Sequence, residues 1–157
     1  MNTEIRKYQP NDLNDLLDSW ESASRLAHPF MANDFFEKER INIPSLYIPN
    51  TDTWVVTLDN KVVGFIALIV EDSDKGASCE IGGLFIDPQF HSQGLGQSLV
   101  DKTKELYHAI SVKVFKENTI GRKFYDRYGF HFIQEVVWEE SGDILMELEL
   151  SVTQTSY

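Results

Sequence analysis

The spacing of hydrophobic residues changes several times along this chain, and that change constrains its fold more than any other feature. TEIRKY has the pattern of a strand, and Asn11–Leu26 has the spacing of an amphipathic helix that Asn11 begins. The β-rich runs TWVVTL and KVVGFIALIV are separated by Asp59-Asn60, which predicts a hairpin. Strand and helix patterns then alternate, and two more strand patterns follow near the end. This order predicts a mixed sheet of the α/β or α+β class.

Length and charge narrow the class of protein. A chain of 157 residues, 42% of them hydrophobic, suits one domain, predicted over residues 1–150 with a tail at 151–157. Its only cysteine, Cys79, excludes an internal disulfide. A net charge of -11 disfavours nucleic-acid binding and favours a neutral or cationic substrate. The longest apolar run, Val62–Val70, is too short to span a bilayer, and no signal-peptide pattern is present, so we expect a cytoplasmic protein without membrane contacts.

A glycine-containing loop follows one predicted strand, in FIDPQFHSQGLGQSLV at positions 85–100. Gly94 and Gly96 stand where a helix begins, and the unpaired N–H groups of a helix N-terminus suit phosphate. Gln97 replaces the lysine of a P-loop, and Leu99 replaces the third glycine of a dinucleotide-binding loop. From the loop alone, a ligand site and a plain strand-to-helix turn are equally good interpretations.

The segment VFKENTIGRKFYDRYGF at positions 114–130 adds a second motif. Asn118 begins a predicted helix that ends at Gly129, and Tyr125 lies seven residues on, about two turns later on nearly the same face. The order of strand, Gln-Gly-Leu-Gly loop, helix, strand, Asn118 and FYDRYGF resembles the GNAT superfamily of acyl-CoA-dependent N-acetyltransferases, small bacterial type. The family loop has Gln or Arg first, where this chain has His91.

The resemblance extends from the first strand to Leu150. It implies a GNAT-like fold of about seven mostly antiparallel strands with a central parallel pair, and about four helices. It also implies acetyl-CoA as co-substrate, with pantetheine lying along the fourth strand like an added strand. A backbone N–H near Leu84 or Phe85 would polarise the thioester carbonyl. The residues assigned to coenzyme A are Leu84, Phe85, Ile86, His91, Ser92, Gln93, Gly94, Leu95, Gly96, Gln97, Asn118 and Tyr125.

The implied reaction moves acetyl to a primary amine of a small molecule or peptide. Tyr125 matches the family tyrosine that protonates the leaving thiolate, although it could also only pack. Asn118 is a helix cap, a ligand contact or both. A lysine-like amine must lose its proton, which costs roughly 4–5 kcal/mol at pH 7, so a base matters. Glu80 and His28 are the candidates, and a solvated strand carboxylate and an ordinary loop histidine are the alternatives.

Aromatic residues in and after the first helix predict the acceptor pocket. Trp20, His28 and Phe30 are its expected substrate-binding residues, and Phe35, Phe36 and Tyr47 belong to the same set. The spacing of the histidines and acidic residues fits no metal site, so no metal is expected. The oligomeric state is predicted as monomer or homodimer. The alternative to an enzyme is a non-catalytic acyl-CoA-binding or sensing module on the same fold.

Overall fold

One seven-stranded sheet organises the protein in the computed structural model, which describes residues 2–73 and 76–151. Its strands are β1 (Thr3–Lys7), β2 (Asp52–Leu58), β3 (Lys61–Ser73), β4 (Gly76–Ile86), β5 (Ala109–Phe115), β6 (His131–Val137) and β7 (Ile144–Ser151). Their order is β1-β2-β3-β4-β5-β7-β6, and every pair is antiparallel except β4 with β5. The predicted mixed sheet with a central parallel pair is confirmed. Of the predicted tail, residues 152–157 lie outside the described residues.

Four α-helices cover the sheet: α1 (Leu13–Ala27), α2 (Asn33–Asn42), α3 (Leu95–Leu106) and α4 (Thr119–Tyr128). The prediction that Asn11 begins α1 is wrong, because Asn11 lies inside a 3-10 turn, Pro10–Asp12. There the Asp12 carboxylate accepts the Gln9 N–H at 2.8 Å and pairs with Arg6, also at 2.8 Å, so the α-helix begins only after Asp12. After α2 the chain continues through a π turn and a 3-10 turn to Asn50.

The sheet separates two hydrophobic cores. Neighbouring strand residues point to opposite faces, so Val55 packs with α1 and α2 while Val56 packs with α3 and α4. The core under α1 and α2 contains Leu16, Leu17, Trp20, Phe36, Phe65 and Ala67. The core under α3 and α4 contains Cys79, Ile81, Leu95, Leu99, Ile110, Val112, Tyr125 and Phe130. The α3 and α4 face of β5 is buried, whereas Ala109 and Lys113 on its other face are exposed.

The parallel strands β4 and β5 separate part of the way along β4. Pairing with β5 covers Ser78–Ile81 only. The register of β4 against β3 shifts between Ala67 and Leu68, which leaves Gly82 as the extra residue of a β-bulge. From Gly82 to Ile86, the β5-facing edge of β4 has no strand partner. The sheet is split at this point, and the split holds the candidate site.

Candidate active site

The split between β4 and β5 opens into a cavity of about 830 Å³, which is a usual size for a small-molecule site. Its walls come from α1, the end of β4, the loop before α3, the end of β5 and α4. The predicted site residues among the lining are Trp20, His28, Leu84, Phe85, Ile86, His91, Ser92, Gly94, Leu95, Gly96, Gln97, Asn118 and Tyr125. Phe35 of the predicted aromatic set also lines it, whereas five predicted residues do not: Glu80, Phe30, Gln93, Phe36 and Tyr47.

The loop before α3 presents backbone N–H groups to one end of the cavity. Gly94 is the helix N-cap with φ of 78°, and a Cβ there would meet no atom within 4 Å. Ser92 also has a left-handed φ, 66°. The first α-helical bond is Ser98 N–H to Gly94 O at 3.0 Å, so Leu95–Gln97 have no intrahelical partner for their N–H groups. The combination of a helix N-terminus and left-handed loop residues suits an anion.

The second glycine of the loop, Gly96, is explained by packing between helices. A Cβ on Gly96 would lie 3.2 Å from Phe124 Cε1, so Gly96 lets α3 pack closely on α4. His91, at the position where the family has Gln or Arg, donates from Nε2 to the Ile86 carbonyl at 2.8 Å. This bond ties the loop to the end of β4. The sequence pattern did not reveal either role.

Cations are concentrated around this cavity. Lys104, Lys113, Lys123 and Arg127 line it, against a single acidic residue, Asp101. The whole chain has the opposite balance, with 14 Lys and Arg against 25 Asp and Glu. Asp101 accepts a short hydrogen bond of 2.5 Å from the Tyr128 hydroxyl. The cavity is thus locally positive in an acidic protein, which favours an anionic ligand.

Tyr125 is buried, with 6% of its surface exposed, and it lines the cavity. Within the described part of the chain, its hydroxyl makes no hydrogen bond. Edge contacts to Phe124 and Phe130, at centroid distances of 5.2 and 5.1 Å, hold the ring in place. Burial raises the pKa of Tyr125 above its usual value, so the phenol stays protonated at neutral pH. It is a fixed donor without a protein acceptor.

A chain of three buried polar side chains links α1 to α4. Asn118 Oδ1 accepts the Gly121 N–H at 2.9 Å, which confirms the predicted helix cap. Asn118 Nδ2 must then be the donor to His28 Nε2, at 3.3 Å, and His28 Nδ1 donates to Ser24 Oγ at 3.0 Å. Burial lowers the pKa of His28 to about 4, so its imidazole is neutral at pH 7. The signal available in the sequence was the i, i+4 spacing of Ser24 and His28.

Aromatic rings surround His28 beside the cavity. The His28 ring makes edge contacts with Phe30, Phe35 and Phe115, at centroid distances of 5.7, 6.4 and 5.2 Å. Trp138, just after β6, contacts both Phe35 and Phe115. Phe115 and Trp138 were absent from the predicted set, because they approach α1 only through the folded sheet. Phe30 belongs to this cluster although it does not line the cavity.

Glu80 lies on β4 before the split, paired with Ser111 of β5. Its carboxylate is 3.7 Å from Lys113 Nζ, and its side chain is 24% exposed. Lys113 lines the cavity, so Glu80 reaches the site through this ion pair. The base role predicted for Glu80 stays a prediction.

The described residues form neither a metal-binding cluster nor a membrane-spanning helix. Within residues 2–73 and 76–151, no cluster of three or more His, Cys, Asp or Glu side chains is arranged to hold a metal ion. No helix in the same part of the chain is long and apolar enough to cross a membrane. The one cysteine, Cys79, is buried in the core, and burial raises the pKa of its thiol to about 12. A thiol with this pKa is a poor nucleophile.

Comparison with known proteins identifies the class. The family model described as acetyltransferase (GNAT) domain matches residues 49–132, more than half of the chain. The chain therefore belongs to the GNAT acetyltransferase family. It is 29% identical over 131 residues to the peptidyl-lysine N-acetyltransferase YjaB of Salmonella typhimurium, covering 83% of this chain and 84% of that protein.

Solved structures agree with this fold. The solution structure of apo-form YjaB from Escherichia coli superposes with a TM-score of 0.78 at 22% identity, covering 95% of this chain and 97% of that one. The PaiA N-acetyltransferase of Thermoplasma acidophilum, in complex with coenzyme A, gives a TM-score of 0.75 at 19% identity, covering 94% and 98%. At these identities the likeness concerns the fold, and the predicted GNAT-like architecture is confirmed.

Proposed function

We propose that this protein transfers the acetyl group of acetyl-CoA to a primary amine, and that the amine is a lysine side chain of a peptide or protein. The observation that carries the proposal is the cavity in the split sheet, which joins a loop suited to anions to Tyr125, whose hydroxyl has no partner in the described part of the chain. The names of the relatives, both peptidyl-lysine N-acetyltransferases, support this acceptor.

The loop end of the cavity fits the phosphates of coenzyme A. In the proposal, the free N–H groups of Leu95–Gln97 bind the pyrophosphate, since they point from a helix N-terminus and Gly94 leaves space beside them. Lys104, Lys123 and Arg127 neutralise the remaining anionic charge at the rim. The same set of residues fits no cationic ligand.

The open edge of β4 fits the amide groups of pantetheine. Leu84–Ile86 have no strand partner on the β5 side, so their backbone can pair with a ligand as with an added strand. A backbone N–H at Leu84 or Phe85 would stabilise the negative charge that develops on the carbonyl oxygen in the transition state. This interaction strengthens during reaction and so contributes to rate as well as to binding.

Acetyl-CoA, when bound, supplies an acyl carbon that is activated by its sulfur. Transfer forms a bond from the amine nitrogen to that carbon, breaks the carbon–sulfur bond, and moves one proton from nitrogen to sulfur. Tyr125 is the proposed donor of the proton to sulfur, and its phenolate regains a proton that the nitrogen releases. General acid help of this kind contributes roughly 10²–10⁴-fold.

The amine must reach the cavity without its proton. His28 and Glu80 remain the predicted bases, but the two side chains have different surroundings. His28 uses both ring nitrogens in the chain from Ser24 to Asn118, which favours a positioning role. A base role for either residue predicts that Glu80→Gln or His28→Ala lowers kcat/KM most at low pH. A mutant-to-wild-type ratio that is constant with pH would contradict that role.

The proposed function is tested by thiol release from acetyl-CoA in the presence of a lysine peptide, the same peptide with its lysine blocked, and a panel of small amines. We expect release with the free lysine peptide and mass-spectrometric acetylation at that lysine, and neither with the blocked peptide. Release with small amines alone would support transferase activity but would identify a small amine, and not a lysine peptide, as the acceptor. Binding of coenzyme A without release to any amine would favour the non-catalytic binding module.

A further inference from the structure

A second cavity, of about 350 Å³, lies on the α1 and α2 face of the sheet, and its walls are apolar. Ile43, Phe65 and Ala67 form its floor, while Leu46 and Ile69, which are 51% and 41% exposed, stand at its mouth. A cavity of this kind binds hydrocarbon well and polar groups poorly.

The polar side chains of this second cavity are already bonded within the protein. The Tyr47 hydroxyl donates to Glu39 at 3.0 Å, and Asn50 Nδ2 donates to the Leu46 carbonyl at 2.7 Å. Thr51 Oγ1 donates to the Tyr47 carbonyl at 2.9 Å. A polar ligand would therefore lose hydration here without gaining new partners from these groups.

The two cavities meet at the bulge of β4. Trp20, Gly82, Gly83 and Phe85 line both of them. A Cβ on Gly82 would lie 3.3 Å from Ile69 Cδ1, and a Cβ on Gly83 would lie 3.0 Å from Phe85 Cε2, so each glycine lets a side chain that lines the second cavity lie against the β4 backbone. Neither glycine has a left-handed φ. The two cavities therefore adjoin at the bulge, where they share lining residues.

We propose that the second cavity binds the hydrocarbon tail of an acyl group longer than acetyl, carried by coenzyme A in the first cavity. The inference rests on the proposed function, because the thioester must lie beside Leu84 and Phe85, next to the residues that the two cavities share. An acetyl methyl group would leave most of the 350 Å³ empty. An ammonium ion or a polar acceptor is a poor occupant of these walls, whereas each methylene of an acyl chain gains from burial.

The test uses calorimetry with coenzyme A and its unreactive S-ethyl, S-butyl and S-hexyl thioethers, so that binding is read without turnover. We expect the Kd to fall by about fourfold for each methylene that enters the cavity. Two variants narrow the cavity without altering the first one: Ala67→Leu at the buried floor and Leu46→Trp at the half-exposed mouth. Both should abolish the gain with chain length and leave the Kd for unmodified coenzyme A unchanged.

Ile41→Trp is the matched control for Leu46→Trp, since Ile41 is 69% exposed and lines neither cavity. If Ala67→Leu fails to fold, Leu46→Trp still decides the question, because its side chain lies at the surface. Equal affinity for coenzyme A and all thioethers would overturn the acyl-tail site and leave the proposed function standing. Failure of coenzyme A itself to bind would overturn both.

Two further outcomes would also overturn the acyl-tail site. A gain with chain length that persists in both narrowing variants would place the tail elsewhere. The other such outcome is a higher KM for a lysine peptide in both variants, with the thioether series unchanged. In that case the second cavity holds the aliphatic stem of the acceptor amine.

Discussion

At the scale of single residues, two buried side chains at the site differ in whether their polar atoms are hydrogen-bonded within the protein. Tyr125 keeps its hydroxyl without a protein partner at the cavity wall, whereas His28 has both ring nitrogens bonded. A donor that faces a cavity without a protein partner is available to a ligand that supplies an acceptor. A buried imidazole with two partners is typical of a positioning role. The roles of the two residues are therefore tested by different experiments.

Replacing Tyr125 by phenylalanine removes the donor and keeps the packing of the ring against Phe124 and Phe130. We expect kcat to fall by about 10-fold or more, with the KM for acetyl-CoA little changed. Tyr107→Phe is the matched control, because Tyr107 is a buried tyrosine whose hydroxyl bonds to Asp52, away from the cavity. Steady-state kinetics of both variants decide the matter. Equal turnover in Tyr125→Phe and wild type would leave Tyr125 with a packing role only.

His28 makes folding stability depend on pH. The unfolded chain takes up the imidazole proton near pH 6.5, while the folded protein takes it up only near pH 4, so acidification through this window favours unfolding. The expected loss from this group is about 2–3 kcal/mol between pH 7 and pH 4.5. His28→Gln should show a shallower fall in the free energy of unfolding over this range, measured by denaturant titration.

The exposed His131 provides the control for this measurement, since His131→Gln should leave the pH dependence of the wild type unchanged. The absolute stability of His28→Gln is not the readout, because the substitution also disturbs the contacts with Ser24 and Asn118. Parallel curves for wild type and His28→Gln would mean that the imidazole has an ordinary pKa in the folded protein.

At the scale of secondary-structure elements, local signals were predictable and long-range pairing was not. Asp59-Asn60 was predicted as a hairpin turn, and both residues have left-handed φ, 48° and 72°, which these types tolerate. The helix expected to begin at Gly94 and Gly96 is α3, Leu95–Leu106. The bulge at Gly82 and the opening of β4 from β5 depend on register across distant strands, which a single sequence does not determine.

The loop before α3 gives the sharpest test at this scale. Gly94 combines a left-handed φ with open space beside its Cα. Glycine could therefore be needed for the backbone conformation or for the space that a ligand occupies, and the two reasons must be separated. Gly94→Asn tolerates the backbone conformation and places a side chain in that space, whereas Gly94→Val also strains the backbone. If the ligand lies against the loop, both variants should weaken coenzyme A binding severely, as measured by calorimetry.

Gly142 provides the control, because it has a φ of 77° and no atom within 4 Å of a Cβ, but lies in the turn between β6 and β7. Gly142→Asn should leave the affinity for coenzyme A unchanged. Wild-type affinity in a folded Gly94→Asn variant would show that the glycine serves the backbone conformation and not the ligand.

At the scale of the whole molecule, the charge that lines the main cavity is opposite in sign to the net charge of the chain. A chain with net charge -11 repels anions at long range, yet four of its cations line the main cavity with one acidic residue. In the proposed function the donor, coenzyme A, is strongly anionic, so its binding would rely on short-range contacts with these cations. The net charge of the chain would favour the approach of a cationic lysine side chain as the proposed acceptor. The proposed donor and acceptor would thus experience different parts of one electrostatic field.

This distribution predicts how coenzyme A binding responds to single charge removals. Lys104→Gln, Lys123→Gln and Arg127→Gln should each raise the Kd by about 1.4- to 5-fold, because exposed ion pairs contribute about 0.2–1 kcal/mol. Lys61→Gln, at the first residue of β3 and outside the cavity lining, changes the net charge by the same amount and should leave the Kd nearly unchanged. Calorimetry at low and high salt should show the differences shrinking as salt screens the rim. Equal effects of Lys61→Gln and the three rim variants would mean that coenzyme A senses only the net charge of the protein, and the rim would have no specific role.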